Sequence, residues 1–387
     1  MLDVAAFRAE LPLTQAMVYM NTGWSGPSPR RVIERIVEQL RYENEVGPAS
    51  REVLDSHRAI TAAAREAAAQ LLGATADEIV LTDNTTHGIN IVLTGLRWRD
   101  GDEVLTCNLE HPSIIVPVHY LPHRGAIAVR SATLTASDTA ADIVAKLEAA
   151  LTPRTRLLAL SHITFTTGSR LPLAEINALA HRHGALVLWD AAQSVGHIAV
   201  DLAATDTDFY AFTGHKWLLG PDGAGGLFIR RDLIESIEPL FVSGAAALSY
   251  DVEHMEPRTD SVRKFDLTTR SAPLLAGFVE AARMHVEFGP ATLEARAVGL
   301  AARLRAALIA IDGVNLTSSG GDTATALVAF AVAGVEPRQV TEQLWERGRI
   351  VGRSVASPAA TRLAVAFFNT EDEVDRVVDV VRALVAS

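Results

Sequence analysis

Leu186-Val-Leu-Trp-Asp190-Ala-Ala-Gln193 and, a short way on, Phe209-Tyr-Ala-Phe-Thr213-Gly-His215-Lys216 decide how this chain folds. Each is a short apolar run that stops on polar and ionisable residues, the mark of a buried strand with chemistry at its end. Working outward, runs of the same kind recur at residues 79–81, 103–107, 126–129, 157–160 and 226–229, alongside 185–189 and 209–212 themselves. Helix-period stretches at 57–72, 138–151 and 173–182 separate them. Strand and helix in alternation predict an α/β fold, a mostly parallel seven-stranded sheet covered on both faces. In such sheets ligands collect at the carboxyl ends of the strands, so Asp190 and Lys216 are expected on one rim.

Beyond residue 290 the pattern changes. A long alanine-rich helix at 292–311 is followed by short strands at 314–316 and 326–331, a helix at 337–349 and a strand at 363–367. Thr370 with Glu373 three residues on has capping-box spacing and sets the start of a last helix. The expected division is a large domain over 21–289 and a smaller α+β domain formed by 1–20 with 290–387.

Composition narrows the function classes. Of 387 residues, 49% are hydrophobic and 21% charged, which gives ample material for a core and excludes disorder as the dominant state. Forty-six acidic against 35 basic residues leave a formal charge of -11, which argues against nucleic acid as a partner. No apolar stretch reaches the roughly 18 residues of a membrane span. The acids in the opening MLDVAAFRAELPL do not fit a signal peptide. Cys107 is the single cysteine, too few for a disulfide or a thiolate metal cage, so a cytoplasmic, metal-independent protein is expected. His181 and His183 suggest a metal pair to the eye. The glycine after them places them at a helix end instead, facing solvent or compensating the helix dipole.

A lysine at the buried end of a strand is costly to ionise, which makes Lys216 a good amine nucleophile. Asp190 and Lys216 fit a structural ion pair at a sheet edge as well. A third stretch, Asp83-Asn-Thr-Thr-His-Gly-Ile-Asn, follows a strand and opens a helix. Hydroxyls and free N–H groups there suit a phosphate, and taken alone they suit ordinary helix capping too. Amine, carboxylate and phosphate cradle together describe one cofactor, pyridoxal 5′-phosphate (PLP).

With these motifs, in this order, the chain resembles the class V aminotransferase and cysteine desulfurase group of fold-type I enzymes, over essentially its whole length. Asn21-Thr-Gly-Trp-Ser-Gly-Pro looks like the group's N-terminal loop, with Trp24 on the substrate side. The resemblance implies Lys216 as the lysine joined to the cofactor, Asp190 as the partner of the pyridine nitrogen and Gln193 as the partner of the phenolic oxygen. It implies Thr86, His87, Thr213 and His215 at the phosphate, and His111, in Glu110-His-Pro-Ser-Ile-Ile-Val-Pro, stacked on the ring. Phe265-Asp-Leu-Thr-Thr is similar to the segment that reaches a neighbouring subunit's phosphate, with Thr269 at the matching place, and so implies a homodimer with composite sites.

The substrate side departs from the desulfurase pattern. Those enzymes present a sulfur-accepting cysteine on a mobile loop, and the matching stretch Val351-Gly-Arg-Ser-Val-Ala-Ser-Pro-Ala-Ala-Thr-Arg-Leu has none. Two arginines with eight residues between them, Ser-Pro among these, look more like the cystine and cysteine-conjugate C–S lyases of the group. Arg362 is then expected at a strand start, clamping the substrate α-carboxylate, with Arg353 as a second candidate. Phe165 stands where relatives often carry an asparagine, and is expected to shape an apolar wall. The implied function is a PLP-dependent lyase that breaks the Cβ–S bond of a cysteine derivative by β-elimination. Transamination, epimerisation and decarboxylating oxidative deamination keep the same cofactor and stand as alternatives. A non-catalytic cofactor-binding protein stands apart from them, and retention of Lys216, Asp190 and His111 together weighs against it.

Overall fold

The computed structural model describes residues 2–386. Seven strands form the large sheet: β1 (Ile79–Thr82), β2 (Glu103–Cys107), β3 (Ala128–Ala132), β4 (Thr155–Ser161), β5 (Leu186–Asp190), β6 (Phe209–Thr213) and β7 (Gly225–Ile229). Their order is β1-β7-β6-β5-β4-β2-β3, and β7 alone runs against the rest. Six carboxyl ends therefore share one rim, where Asp190 closes β5 and Thr213 closes β6.

Period-two alternation gives the inner strands two buried faces. In β5 and β6, Val187, Trp189, Tyr210 and Phe212 pack toward helices Arg51–Leu72, Leu173–Arg182 and Ala272–Phe288. Leu188, Phe209 and Ala211 pack the other way, toward Ile89, Val92 and Leu93 of helix Thr85–Gly95 and Ile114 of helix Pro112–Tyr120. Gly88 lets the first of these helices lie close, since a Cβ there would stand 3.0 Å from the Ala211 Cβ.

A second, antiparallel sheet has the order β8-β9-β11-β10, from β8 (Val314–Leu316), β9 (Leu327–Val332), β10 (Arg353–Ala356) and β11 (Ala359–Ala364). Helices Pro290–Ile309, Pro337–Gly348 and Glu371–Val385 cover it. The N-terminal segment joins this body: Val18 pairs with Ile350, and Phe7, Leu11 and Met20 lie in the same apolar cluster as Phe330 and Phe368. On these pairings we propose the domain division at residues 20/21 and 289/290.

Two expected strands move. The expected strand at 126–129 is β3, Ala128–Ala132, an edge strand whose exposed Arg130 and Ser131 hide it from an apolar reading. The expected strand at 363–367 is β11, Ala359–Ala364, because the apolar run continues past the last ladder partner. Arg362 is thus inside a strand rather than at its start. The stretch between the arginines is also no mobile loop: β10 and β11 form a tight hairpin in which Arg353 sits directly opposite Arg362. The capping box stands as expected, Thr370 Oγ1 accepting from the Glu373 N–H at 3.2 Å and Glu373 Oε2 from the Thr370 N–H at 3.1 Å.

Candidate active site

A cavity of about 370 Å³ opens where the rim of the large sheet meets the β10–β11 hairpin. Each wall is a strand end. β6 delivers Thr213, His215 and Lys216; β5 leads into Gln193; β4 leads to Phe165; β2 leads to His111 and Ser113. Asn84, Thr85 and Thr86 follow β1, and Gly23, Trp24, Arg353 and Arg362 close the far side.

Burial holds the Lys216 ammonium down to about 8; the charges of Arg362 and Arg353 push the same way and Asp190 opposes them. Much of the amine is therefore neutral near pH 8. Burial pushes the Asp190 carboxyl up, against the pull of Lys216 and of the Ala192 N–H, which Oδ1 accepts at 2.9 Å. One Asp190 oxygen thus serves the backbone turn while the group stays electrostatically tied to Lys216.

Asn84 caps helix Thr85–Gly95 by accepting the His87 N–H at 3.0 Å, leaving the N–H groups of Thr85 and Thr86 as the helix's open donors. The Thr85 hydroxyl is buried in this wall without a hydrogen-bond partner. Thr86 donates to Ser113 Oγ at 2.8 Å, and Ser113 Oγ lies 2.9 Å from His111 Nδ1. Thr213 Oγ1 and His215 Nδ1 are 2.7 Å apart. Burial, with Lys216, Arg353 and Arg362 nearby, holds His111 down to about 4, so its ring is neutral and free to stack. The Gln193 amide is fixed at both ends, donating to the Gly23 carbonyl at 2.7 Å and accepting from Trp217 Nε1 at 2.8 Å.

Three expected residues do not line this cavity: Asp190 is buried at the end of β5, and His87 and Thr269 lie elsewhere. The His87 ring lines a separate apolar recess with Phe241 and Phe265, its Nδ1 3.4 Å from Asp83 Oδ2, and its backbone N–H is already given to Asn84 Oδ1. Thr269 lies in a cleft beside Arg65 and Arg270, with a positive φ of 61°. Phe165 stands edge-on to His111 at 4.9 Å and also offers its carbonyl, which the sequence did not announce, to Arg362 Nη1 at 2.6 Å. His181 and His183 stay apart: His181 Nε2 meets Asp208 at 3.0 Å, and His183 donates Nδ1–H to the Leu179 carbonyl at the helix end. Among the described residues no group of three or more His, Cys, Asp or Glu could hold a metal.

Glu110 escaped the sequence reading, although it precedes His111. Its carboxylate accepts the Ser161 N–H at 2.9 Å, the Ser161 hydroxyl at 2.5 Å and the Cys107 thiol at 3.1 Å, tying the end of β2 to the end of β4.

The chain matches the profile of the family described as aminotransferase class-V over residues 18–377. It belongs to that family. It is 31% identical to a probable cysteine desulfurase of Methanothermobacter thermautotrophicus, over 95% of this chain and 94% of that one. It is equally 31% identical to the isopenicillin N epimerase of Streptomyces clavuligerus, over 97% of each. The cystine C–S lyase C-DES superposes with a TM-score of 0.90 at 32% identity, over 96% of this chain and 98% of that chain; one structure holds cysteine persulfide as reaction product, another glycine covalently linked to PLP. The fold is accordingly fold-type I and the cofactor of this enzyme is PLP. The donor set fits it: a desolvated amine, a buried carboxylate, and an orphaned hydroxyl with open N–H groups at a helix N-terminus.

Proposed function

We propose that this enzyme is a C–S lyase that converts an S-substituted L-cysteine and water to pyruvate, ammonia and a free thiol or persulfide. The observation that carries the reading is the cavity itself, which joins a desolvated Lys216 to Arg362, whose Nε and Nη2 are buried without a protein partner. PLP, when bound, supplies the aldehyde for the amine and the ring that takes up electrons as bonds at Cα and Cβ break. Lys216 Nζ would hold the cofactor and would be the base that takes the proton from Cα. Asp190 would pair with the ring nitrogen, Gln193 with the phenolic oxygen, and the neutral His111 would cover the ring face. Thr86, Thr213 and His215, with the open N–H groups after Asn84, would take the phosphate. Arg362 receives the α-carboxylate, and Phe165 and Trp24 exclude water beside the leaving sulfur.

The support for a lyase over a desulfurase is that the hairpin facing the cavity carries serines and no thiol. The test is to incubate the holoenzyme with S-substituted cysteines and identify products by mass spectrometry. Pyruvate and a thiol or persulfide are expected. Aldehyde with carbon dioxide, an epimerised amino acid, or a keto acid that retains sulfur would each overturn the reading.

We further propose a homodimer in which Thr269 reaches the partner's phosphate. Thr269 lies away from its own chain's Lys216 cavity, and Phe241, Val242, Tyr250 and Met255 expose apolar surface nearby in sequence. Sedimentation with and without cofactor tests it. A cytoplasmic location is proposed from the lone thiol; no helix among the described residues is long and apolar enough to cross a membrane.

A further inference from the structure

Trp217 follows Lys216 in the chain, is 2% exposed and does not line the cavity. It acts on the site through Gln193, which does. An amide has nearly the same shape either way round, but its oxygen accepts and its nitrogen donates, so its direction decides what it offers a ligand. Here the direction is forced. The Gly23 carbonyl can only accept, and it takes one Gln193 Nε2–H at 2.7 Å. The Trp217 indole can only donate, and it gives Nε1–H to Gln193 Oε1 at 2.8 Å. Turned over, the amide would set oxygen against carbonyl and N–H against N–H, and both buried bonds would be lost. What remains is the second N–H on Gln193 Nε2, which has no acceptor among the described residues.

The indole is itself held. The His197 ring lies parallel to it, 3.8 Å between centroids and 12° between planes. The Ala326 N–H donates to His197 Nε2 at 3.0 Å, so the ring's proton sits on Nδ1, where it goes to the Gln193 carbonyl at 2.8 Å. Burial holds this ring down to about 3, so it stays neutral and keeps one donor and one acceptor. His197 thus ties the Gln193 backbone to the residue before β9 while it stacks on the indole that fixes the Gln193 side chain. The indole N–H has no other partner, so a plain hydrocarbon ring would fill the same space and leave the amide undirected.

We propose that Trp217 is the positioning residue that sets the direction of the Gln193 amide, so that the site offers the cofactor's phenolic oxygen a hydrogen-bond donor and never an acceptor. A donor there favours the oxygen in its ionised form, one of the ways a protein tunes this cofactor's electronics. The inference rests on the placement of Gln193 at that oxygen and not on the outcome of the reaction.

The experiment titrates apoenzyme, prepared from the full-length holoenzyme, with PLP and with 3-deoxypyridoxal 5′-phosphate, which lacks only the phenolic oxygen. Affinity is read from the absorbance of the bound compound. Wild type should prefer PLP by about ten-fold or more. Two variants remove the indole N–H: Trp217→Phe, and replacement of Trp217 by 3-benzothienylalanine, which puts sulfur where the N–H was and keeps the shape of the ring. Each should lower the preference about three-fold or more by weakening PLP, with the analogue held within about two-fold. Gln193→Leu should lower the preference at least as far, and adding either Trp217 change to Q193L should lower it no further. If W217F does not fold, the benzothienyl chain decides. Equal binding of both compounds by wild type, equal weakening of both in the Trp217 variants, or a Trp217 effect that persists in Q193L overturns the inference. A preference that survives Q193L removes Gln193 from the phenolic oxygen and takes the inference with it. A preference lost in Q193L but intact in the Trp217 variants overturns the inference alone.

Discussion

Gly26 lies against the backbone of Lys216 so closely that a Cβ on it would stand 2.0 Å from the Lys216 carbonyl oxygen. Its N–H donates to the neighbouring His215 carbonyl at 2.6 Å. The N-terminal loop is thereby pinned to the turn that presents the lysine. Gly26→Ala forces backbone against backbone, with no flexible side chain to give way. The expected result is a loss of more than about 2 kcal/mol in urea unfolding together with weaker cofactor retention on dialysis. Wild-type stability and retention in the variant would show that loop and turn move independently.

Borohydride reduction of the holoenzyme should fix the cofactor on Lys216 alone. Its amine, held near 8 by burial, is the desolvated one at the rim. Peptide mapping reads the site, and a label on another lysine refutes the assignment. Because the depressed amine loses its proton as pH rises through about 8, apoenzyme should regain cofactor faster at pH 8.5 than at pH 6.5.

Arg362→Lys keeps a charge but loses the two-donor edge. Substrate affinity should fall by about 2–4 kcal/mol while cofactor affinity changes little, measured by spectral titration of each. Unchanged substrate affinity would move the α-carboxylate elsewhere.

Glu110 makes a statement about stability. Burial lifts its carboxyl to about 7 from an ordinary 4.5, with Asp190 adding to the rise and Ser161 and Cys107 opposing it. Between those values the folded chain holds a proton that the unfolded chain has released, so this stabilisation, present at low pH, is lost as pH climbs through the window. Glu110→Gln cannot titrate. The stability of wild type relative to E110Q should therefore fall by as much as about 3 kcal/mol between pH 5 and pH 8. Buried histidines such as His162 and His197 act on both proteins and cancel. A difference that is flat with pH would show that the three donors keep Glu110 ionised throughout.

How much of this was legible in the sequence follows from what each feature is made of. Asp190 and Lys216 announced themselves because an ionisable residue at the end of an apolar run is unusual. The capping box at Thr370 is local chemistry at fixed spacing, and it stood where expected. The edge strand β3 did not show its true bounds, because exposed Arg130 and Ser131 carry no apolar signal. The hairpin that sets Arg353 opposite Arg362 was invisible for a different reason: register is a relation between strands, and eight intervening residues fit a loop equally well. His87 shows the limit of reading a site by position, since a helix N-terminus offers its N–H groups while sending the ring elsewhere. Glu110 was overlooked beside His111, because only the fold brings Ser161 and Cys107 to its oxygens.

Cys107 decides whether sulfur ever rests on the enzyme. It ends β2 with 1% of its surface exposed, and its thiol donates to Glu110 Oε1 at 3.1 Å. Burial, with the Glu110 charge and hydrogen bond adding to it, pushes the thiol well above its ordinary range, so almost no thiolate forms near neutrality. It does not line the cavity that holds Lys216, and Ser354 and Ser357 in the hairpin cannot accept sulfane sulfur as a thiolate does. On the proposed lyase reading, the sulfur then departs on its own substituent. Cys107→Ser removes the chain's only thiol at little change in volume and leaves Glu110 a hydroxyl donor. Turnover should stay within about two-fold of wild type, a change of less than ~0.5 kcal/mol in barrier, with the same sulfur product released to solution. A variant that folds and binds cofactor yet stops turning over, together with a persulfide trapped on the wild-type protein, would place the sulfur on Cys107 and end the thiol-free mechanism.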